Sequence, residues 1–221
     1  MVREANYQNE AYDAIKHLIL TSELIPGQRI SKNKLVEILG IGETPIREAI
    51  IRLRKEGLFH VIPQSGTYVS KINIQEVFQA KFVRENIERL VFEEVCDRIS
   101  ISEIQELEMK LKIQKIYFDA KDKEMYFKLD EEFHRYFYEV VQKLYVWDWI
   151  QLINLSFNRC RYLRLQVNEL KWEAILDQHQ QMIELIKVKD KCSLGNLVVK
   201  HIDMIDHDIH VIKKHFPDYF E

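Results

Sequence analysis

Residues 39–50 read Leu39-Gly40-Ile41-Gly42-Glu43-Thr44-Pro45-Ile46-Arg47-Glu48-Ala49-Ile50. Gly40 is suited to close a helix in the left-handed conformation. Thr44 and Pro45 then pair a side-chain N-cap with a residue whose missing N–H costs nothing in a first helical turn. One helix is therefore predicted to end and another to begin across 40–44. The earlier helix is capped by Ser31 and turns Leu35, Val36 and Leu39 inward; the later one buries Ile46, Ala49, Ile50 and Leu53 and ends at Gly57. Upstream, Ala11, Ala14, Ile15, Leu18 and Ile19 recur at helical spacing until Pro26-Gly27 stops them. Downstream, 58–63 and 67–72 read as two short strands around Gln64-Ser65-Gly66. Helix, helix, short turn, helix and hairpin together describe a winged helix-turn-helix.

The rest of the chain has a different texture. Five of six glycines and three of four prolines lie between positions 26 and 66, so the later two thirds can run as long helices with few breakers. Asn73-x-x-Glu76 and Ser100-x-x-Glu103 fit capping boxes. Further helices are expected at about 122–141, 146–167, 169–189 and 193–214, the last capped by Ser193. The predicted fold is mainly α: a winged helix-turn-helix over 1–73, then an all-α antiparallel bundle of six helices over 74–221.

Composition narrows the functional classes. In 221 residues, 47% are hydrophobic and 30% charged, which fits a folded globular chain and excludes a disordered or collagen-like one. No apolar run approaches the roughly 18 residues of a membrane span, and no secretory leader pattern opens the chain, so the cytoplasm is the expected compartment, with no membrane partner. Cys96, Cys160 and Cys192 lack metal or disulfide spacing and are each expected to be small buried hydrophobes. Residues 1–74 carry a net charge of +2 and residues 75–221 one of −5, so a weakly acidic whole contains a basic first domain.

That basic domain suggests nucleic acid. The second helix of a helix-turn-helix enters the major groove by its N-terminal end, which directs Thr44, Pro45, the amides near them and Arg47 toward phosphates and base edges. Arg52, Arg54 and Lys55 lie farther along, where phosphate contact is expected, and Gly66 allows the wing backbone a close approach. The alternative is a solvated basic helix on a structural domain. Residues 14–20, Pro26 to Ser31, Leu39 to Ile50, Arg52 to Leu58 and Ser65 to Val69, in that order and spacing, resemble the GntR family of bacterial transcription regulators. The resemblance implies a homodimer reading an inverted-repeat operator in double-stranded DNA, with Thr44, Arg47 and Gly66 at contact positions. The chain departs from the family where Glu43 replaces a usual arginine. A carboxylate there can accept from cytosine's amino group, which alters the expected operator preference.

The helical domain contains Asp130-Glu131-Glu132-Phe133-His134, in which Asp130 and His134 stack one helical turn apart. Alone, such a spacing more often marks an ordinary surface or buried Asp–His pair than a metal site. His179, beside Met182, Ile183 and Ile186, and His201, near Val198, Ile202 and Ile205, are two more imidazoles on apolar faces. Three neutral imidazoles and a carboxylate suit a divalent transition ion such as zinc or nickel. His17, His60, His207, His210 and His215 have plainer surroundings.

The order Arg84 to Glu88, Asp130 to His134, Asp177 to His179 and Lys200-His201, behind a GntR-like reader, resembles the FCD ligand-binding domain of FadR-type GntR regulators. The resemblance implies that Asp130, His134, His179 and His201 ligate the metal and that the metal holds a small organic acid. Arg84, Arg159, Arg161 and Arg164 are candidates to meet its carboxylate, since guanidinium can bind one with two hydrogen bonds. The expected function is a repressor-like transcription regulator controlled by a small carboxylate effector. Direct metal sensing is an alternative, and metal-dependent catalysis is disfavoured because Glu131 and Glu132 point away from the Asp130–His134 face.

Overall fold

The computed structural model describes residues 2–221, with side chains described from Tyr7 onward. The chain forms two compact units: Met1–Ile74 together with Lys213–Glu221, and Gln75–Ile212. The final nine residues thus belong with the first unit, where the sequence placed them in the bundle.

The first unit contains α1 (Val2–Leu20), β1 (Arg29–Ile30), α2 (Lys32–Leu39), α3 (Glu43–Lys55), β2 (Phe59–Ile62) and β3 (Gly66–Val69). Ile15, Ile19, Leu35, Ile46, Leu53 and Val69 are fully enclosed and make its core. Ser31 caps α2 by accepting from the Lys34 amide, and Gly40 ends it in the left-handed region, as the sequence indicates. The start of α3 differs. Gly42, not Thr44, is the N-cap, and no side chain caps the helix. Thr44 and Pro45 therefore sit within the first turn, where amides lack intrahelical partners and proline is tolerated. The wing has a third, unforeseen strand, because β1 pairs with β3 to give an antiparallel order β1-β3-β2. Two residues are too few to produce a periodic signal. The C-terminal tail closes the unit: the Ile72 amide donates to the Tyr219 carbonyl at 2.8 Å, the Glu221 amide donates to the Ile72 carbonyl at 3.2 Å, and Phe220 is buried.

The second unit holds eight helices rather than six: α4 (Ile74–Arg98), α5 (Ile101–Asp119), α6 (Lys123–Val140), α7 (Leu144–Ile153), α8 (Leu155–Arg164), α9 (Glu173–Lys187), α10 (Lys191–Ile202) and α11 (Met204–His215). The extra boundaries fall at Asn154 and Asp203, whose φ/ψ values of −83°/6° and −62°/−15° stay near the helical region. Neither break needs glycine or proline, so the sequence does not announce it. Helices α5, α6 and α9 are followed by left-handed Lys121, Gln142 and Lys189 in place of glycine. The Ser100–Glu103 capping box is complete. Asp190 caps α10 by accepting from the Ser193 amide, so Ser193 lies inside the helix it was expected to cap. Cys96 and Cys160 are buried, whereas Cys192 is exposed.

Candidate DNA-reading and metal-binding sites

In the first unit, α2 and α3 are joined by the three-residue turn Gly40-Ile41-Gly42, with α3 held inward by Ile46, Ala49 and Leu53. This orientation exposes Thr44 and leaves the Arg47 side chain 66% exposed beside Glu48. Glu43 also lies at this end, and Lys32 from α2 pairs with it. The pairing neutralises the carboxylate at a helix end where anions are otherwise favoured. Arg52 has a different setting. Its guanidinium lies 3.6 Å from the Tyr12 ring centroid, and its Nε donates to Glu56 at 3.3 Å, so it spans α1 and α3 rather than joining Arg47. Gly66 has φ +140°, and a Cβ there would lie 2.9 Å from the Arg29 Nε. The missing side chain thus makes room for a β1 arginine over the wing.

In the second unit, the sequence's three imidazoles meet. His134 on α6, His179 on α9 and His201 on α10 have ring centroids 5.0–5.3 Å apart, and one ligand atom from each lies within 4.8 Å of the others. Each ring has an outer partner at Nδ1. His134 faces Glu88 Oε2 at 2.9 Å, His179 faces Gln114 Oε1 at 3.3 Å and His201 faces Gln178 Oε1 at 2.7 Å. A carboxylate only accepts, so His134 Nδ1 carries the proton. The Gln114 amide donates its NH₂ to Asp130 Oδ1 at 3.2 Å, which leaves its carbonyl to accept from His179. Nε2 of His134 and of His179 is then a bare lone pair, and both atoms are buried without a hydrogen-bond partner. Buried polar atoms are rarely left so. Asp130 Oδ1 stands 3.6 Å from His179 Nε2, which sets two acceptors against one another with no donor between them. These donors fit a divalent transition ion.

The electrostatics agree. Burial pushes His179 down to about 3, and His201 is also held well below its usual value, chiefly by burial, so both imidazoles remain neutral. Burial alone would raise Glu88, but Arg84 and His134 beside it bring it down to about 2. Asp130 is likewise opposed by burial, yet the Arg161 guanidinium beside it holds it far below the carboxylate range.

A cavity of about 40 Å³ adjoins the cluster, with Asp130 and His201 in its wall and Arg84, Arg161 and Arg164 around it. That is space for about three water molecules. Arg161 pairs with Asp130 and Glu131, and Arg164 pairs with Asp208. Arg159 is buried too, but it does not line the cavity.

Glu88, Gln114, Gln178 and Asp208 were not picked out as functional from the sequence. Three of them carried a usable signal. Glu88, Gln114 and Asp208 are buried polar residues on stripes otherwise occupied by apolar ones, such as Leu107 and Leu111 before Gln114, or Ile205, Ile209 and Ile212 around Asp208. Gln178 carried no comparable mark.

Residues 7–69 match the gntR family of bacterial regulatory proteins, and residues 77–204 match the FCD domain. The chain is 26% identical over 211 residues to the HTH-type transcriptional repressor RspR of Escherichia coli K12, covering 96% of this chain and 92% of the relative. It is 27% identical over 178 residues to the gluconate operon transcriptional repressor of Bacillus licheniformis, covering 78% and 72%. The fold is similar to that of E. coli McbR/YncC, with a TM-score of 0.79 at 18% identity over 95% of this chain and 98% of that one.

Proposed function

The chain belongs to the GntR family of bacterial regulatory proteins, with an FCD domain behind its DNA-reading head, and from that premise we propose a repressor whose operator affinity is set by a small carboxylate held beside a divalent metal ion. It is a DNA-binding transcription regulator, not an enzyme. No helix among the described residues is long and apolar enough to cross a membrane.

The observation that carries the metal reading is the convergence of three imidazoles whose Nδ1 atoms are all engaged outward. His134, His179 and His201 would hold zinc or nickel through Nε2, and Asp130 would complete the set through Oδ1. When bound, the ion supplies a fixed positive centre against which a carboxylate can be held. Arg84, Arg161 and Arg164 orient that carboxylate, and the 40 Å³ cavity favours acids of a few carbons. In the head, Thr44 and Arg47 face the operator at the N-terminal end of α3, and two copies of the chain read the two halves of an inverted repeat about one DNA turn apart.

The test combines elemental analysis of protein purified without chelators with operator binding measured across a panel of short carboxylates. Stoichiometric zinc or nickel, lost in His179→Ala, and a shift of operator affinity by an acid are the expected results. Binding that is indifferent to both metal and acid would overturn the regulatory reading. A change with metal alone would favour direct metal sensing.

A further inference from the structure

The outward side of α3 begins with a carboxylate. Gly42 is the N-cap, so Glu43 is the first residue of the helix, and Arg47 stands one turn behind it. Both side chains are 66% exposed. Four residues span about 6 Å along a helix axis, or about two base-pair steps of B-DNA. A helix that enters the major groove by this end therefore presents a carboxylate and a guanidinium to neighbouring base pairs.

An isolated carboxylate there would be repelled by the phosphates, but Glu43 is not isolated. Lys32, the first residue of α2, engages its Oε2 from the other helix of the motif. That hydrogen bond holds the Glu43 carboxyl below its ordinary value, so it is ionised at neutral pH and can only accept. Oε1 is a separate acceptor. The Lys32 ammonium has three donors, and those not given to Glu43 can meet a phosphate. An exposed ion pair of this kind adds little to folding stability, and a cation at the start of α2 is opposed by the helix dipole. The stability of α2 and α3 therefore gives a weak account of the pair, and what it presents outward gives a stronger one.

The groove edges of the four bases divide sharply before such an acceptor. Guanine shows only acceptors, and thymine an acceptor and a methyl group. Adenine sets its amino donor beside the N7 acceptor, which a carboxylate also repels. Cytosine alone offers its amino group with no acceptor of its own on that edge. Arg47 has the opposite preference, because its guanidinium fits the O6 and N7 acceptors of guanine.

We propose that Glu43 selects a cytosine in each operator half-site, within about two base pairs of a guanine read by Arg47, and that Lys32 is its positioning residue and phosphate anchor. The inference rests on the placement of α3 in the groove proposed above, and adds to it a base identity and a residue of α2.

The experiment selects duplexes with a randomised segment on the full chain, as wild type, Glu43→Arg, Glu43→Ala and Lys32→Met, with thermal melting to verify that each head is folded. Fluorescence anisotropy then compares the wild-type duplex with one in which the single base pair assigned to Glu43 is inverted. Wild type is expected to prefer cytosine over guanine there by about tenfold, within the usual cost of one mismatched base pair. Glu43→Arg, which donates where the carboxylate accepts, should invert this pair and leave the other positions unchanged. Glu43→Ala should bind both duplexes alike. Lys32→Met should weaken binding to both, with a shallower salt dependence, while cytosine is still preferred. A wild-type preference that persists in Glu43→Arg or Glu43→Ala would overturn the base-reading role and leave the operator contacts of Thr44 and Arg47 standing. Lys32→Met that binds both duplexes as wild type does would overturn the role given to Lys32. Recovery of no common sequence by wild type would end both this inference and the operator reading beneath it.

Discussion

Glu88 Oε2 and His134 Nδ1 lie 2.9 Å apart with both side chains completely enclosed, so one buried carboxylate fixes which nitrogen of His134 is available to a metal. Arg84 donates to the other oxygen of Glu88, so the carboxylate is itself held in place. Outer partners of this kind orient ligating histidines and raise their basicity.

Replacing Glu88 by Gln keeps the shape but allows the amide to turn its NH₂ toward His134 and weakens the bond to Arg84. Zinc affinity is expected to fall about 10- to 100-fold, the usual effect of losing such a partner. Dye competition on wild type and Glu88→Gln, with far-ultraviolet circular dichroism to verify the fold, checks it. Unchanged zinc affinity in a folded variant would refute the orienting role.

Acid should destabilise the helical unit in chelator. His179 has a folded value of about 3 against an ordinary 6.5, so below 6.5 the unfolded chain takes up a proton that the native state refuses. Stability is therefore full above pH 6.5 and declines as pH falls toward 3, by about 2 kcal/mol at pH 5. Glu88, brought down to about 2 from 4.5, adds a loss of the same sign below pH 4.5. Trp147, Trp149 and Trp172 all lie in the helical unit, so tryptophan fluorescence during urea unfolding of the full chain reports it alone. A midpoint that does not fall between pH 7 and pH 5 would contradict the assignment.

Arg47 and Arg52 should separate by assay. Arg47→Ala is expected to cost about 1–3 kcal/mol against a selected operator, with much less effect on random duplex. Arg52→Ala removes a guanidinium stacked on Tyr12 and should instead lower the thermal stability of the head, by about 1 kcal/mol, while operator discrimination persists. Fluorescence anisotropy with both duplexes, beside calorimetric melting, distinguishes them. Equal loss on both duplexes for Arg47→Ala would make it a phosphate contact only.

Phe220→Ala should loosen the head from the far end of the sequence. The residue is buried, and its neighbours Tyr219 and Glu221 occupy the backbone groups of Ile72. A loss of about 3 kcal/mol is expected for a buried phenylalanine. Hydrogen exchange at the Ile72 amide should accelerate with it; slow exchange in the variant would show that the tail does not hold this segment.

The legible parts of this protein were those with local causes. Gly40 ended α2 because a left-handed residue was needed there, and the Ile46, Ala49 and Leu53 stripe located α3 by its period. The misreadings have local causes too. Thr44 and Ser193 can cap a helix but sit inside one, because Gly42 and Asp190 lie at the preceding boundaries. The breaks at Asn154 and Asp203 need no special residue, and Lys121, Gln142 and Lys189 adopt a conformation usually left to glycine.

The sequence by itself determined a winged reader followed by a helical domain, and it singled out Asp130, His134, His179 and His201, because periodicity and polar residues on apolar faces are written along one chain. Only the tertiary structure decided that Glu88, Gln114 and Gln178 stand behind the three imidazoles, that Arg161 grips Asp130, and that residues 213–221 return to the head. These are contacts between positions tens to hundreds of residues apart. Their partners are selected by how helices pack, and no local pattern encodes that choice.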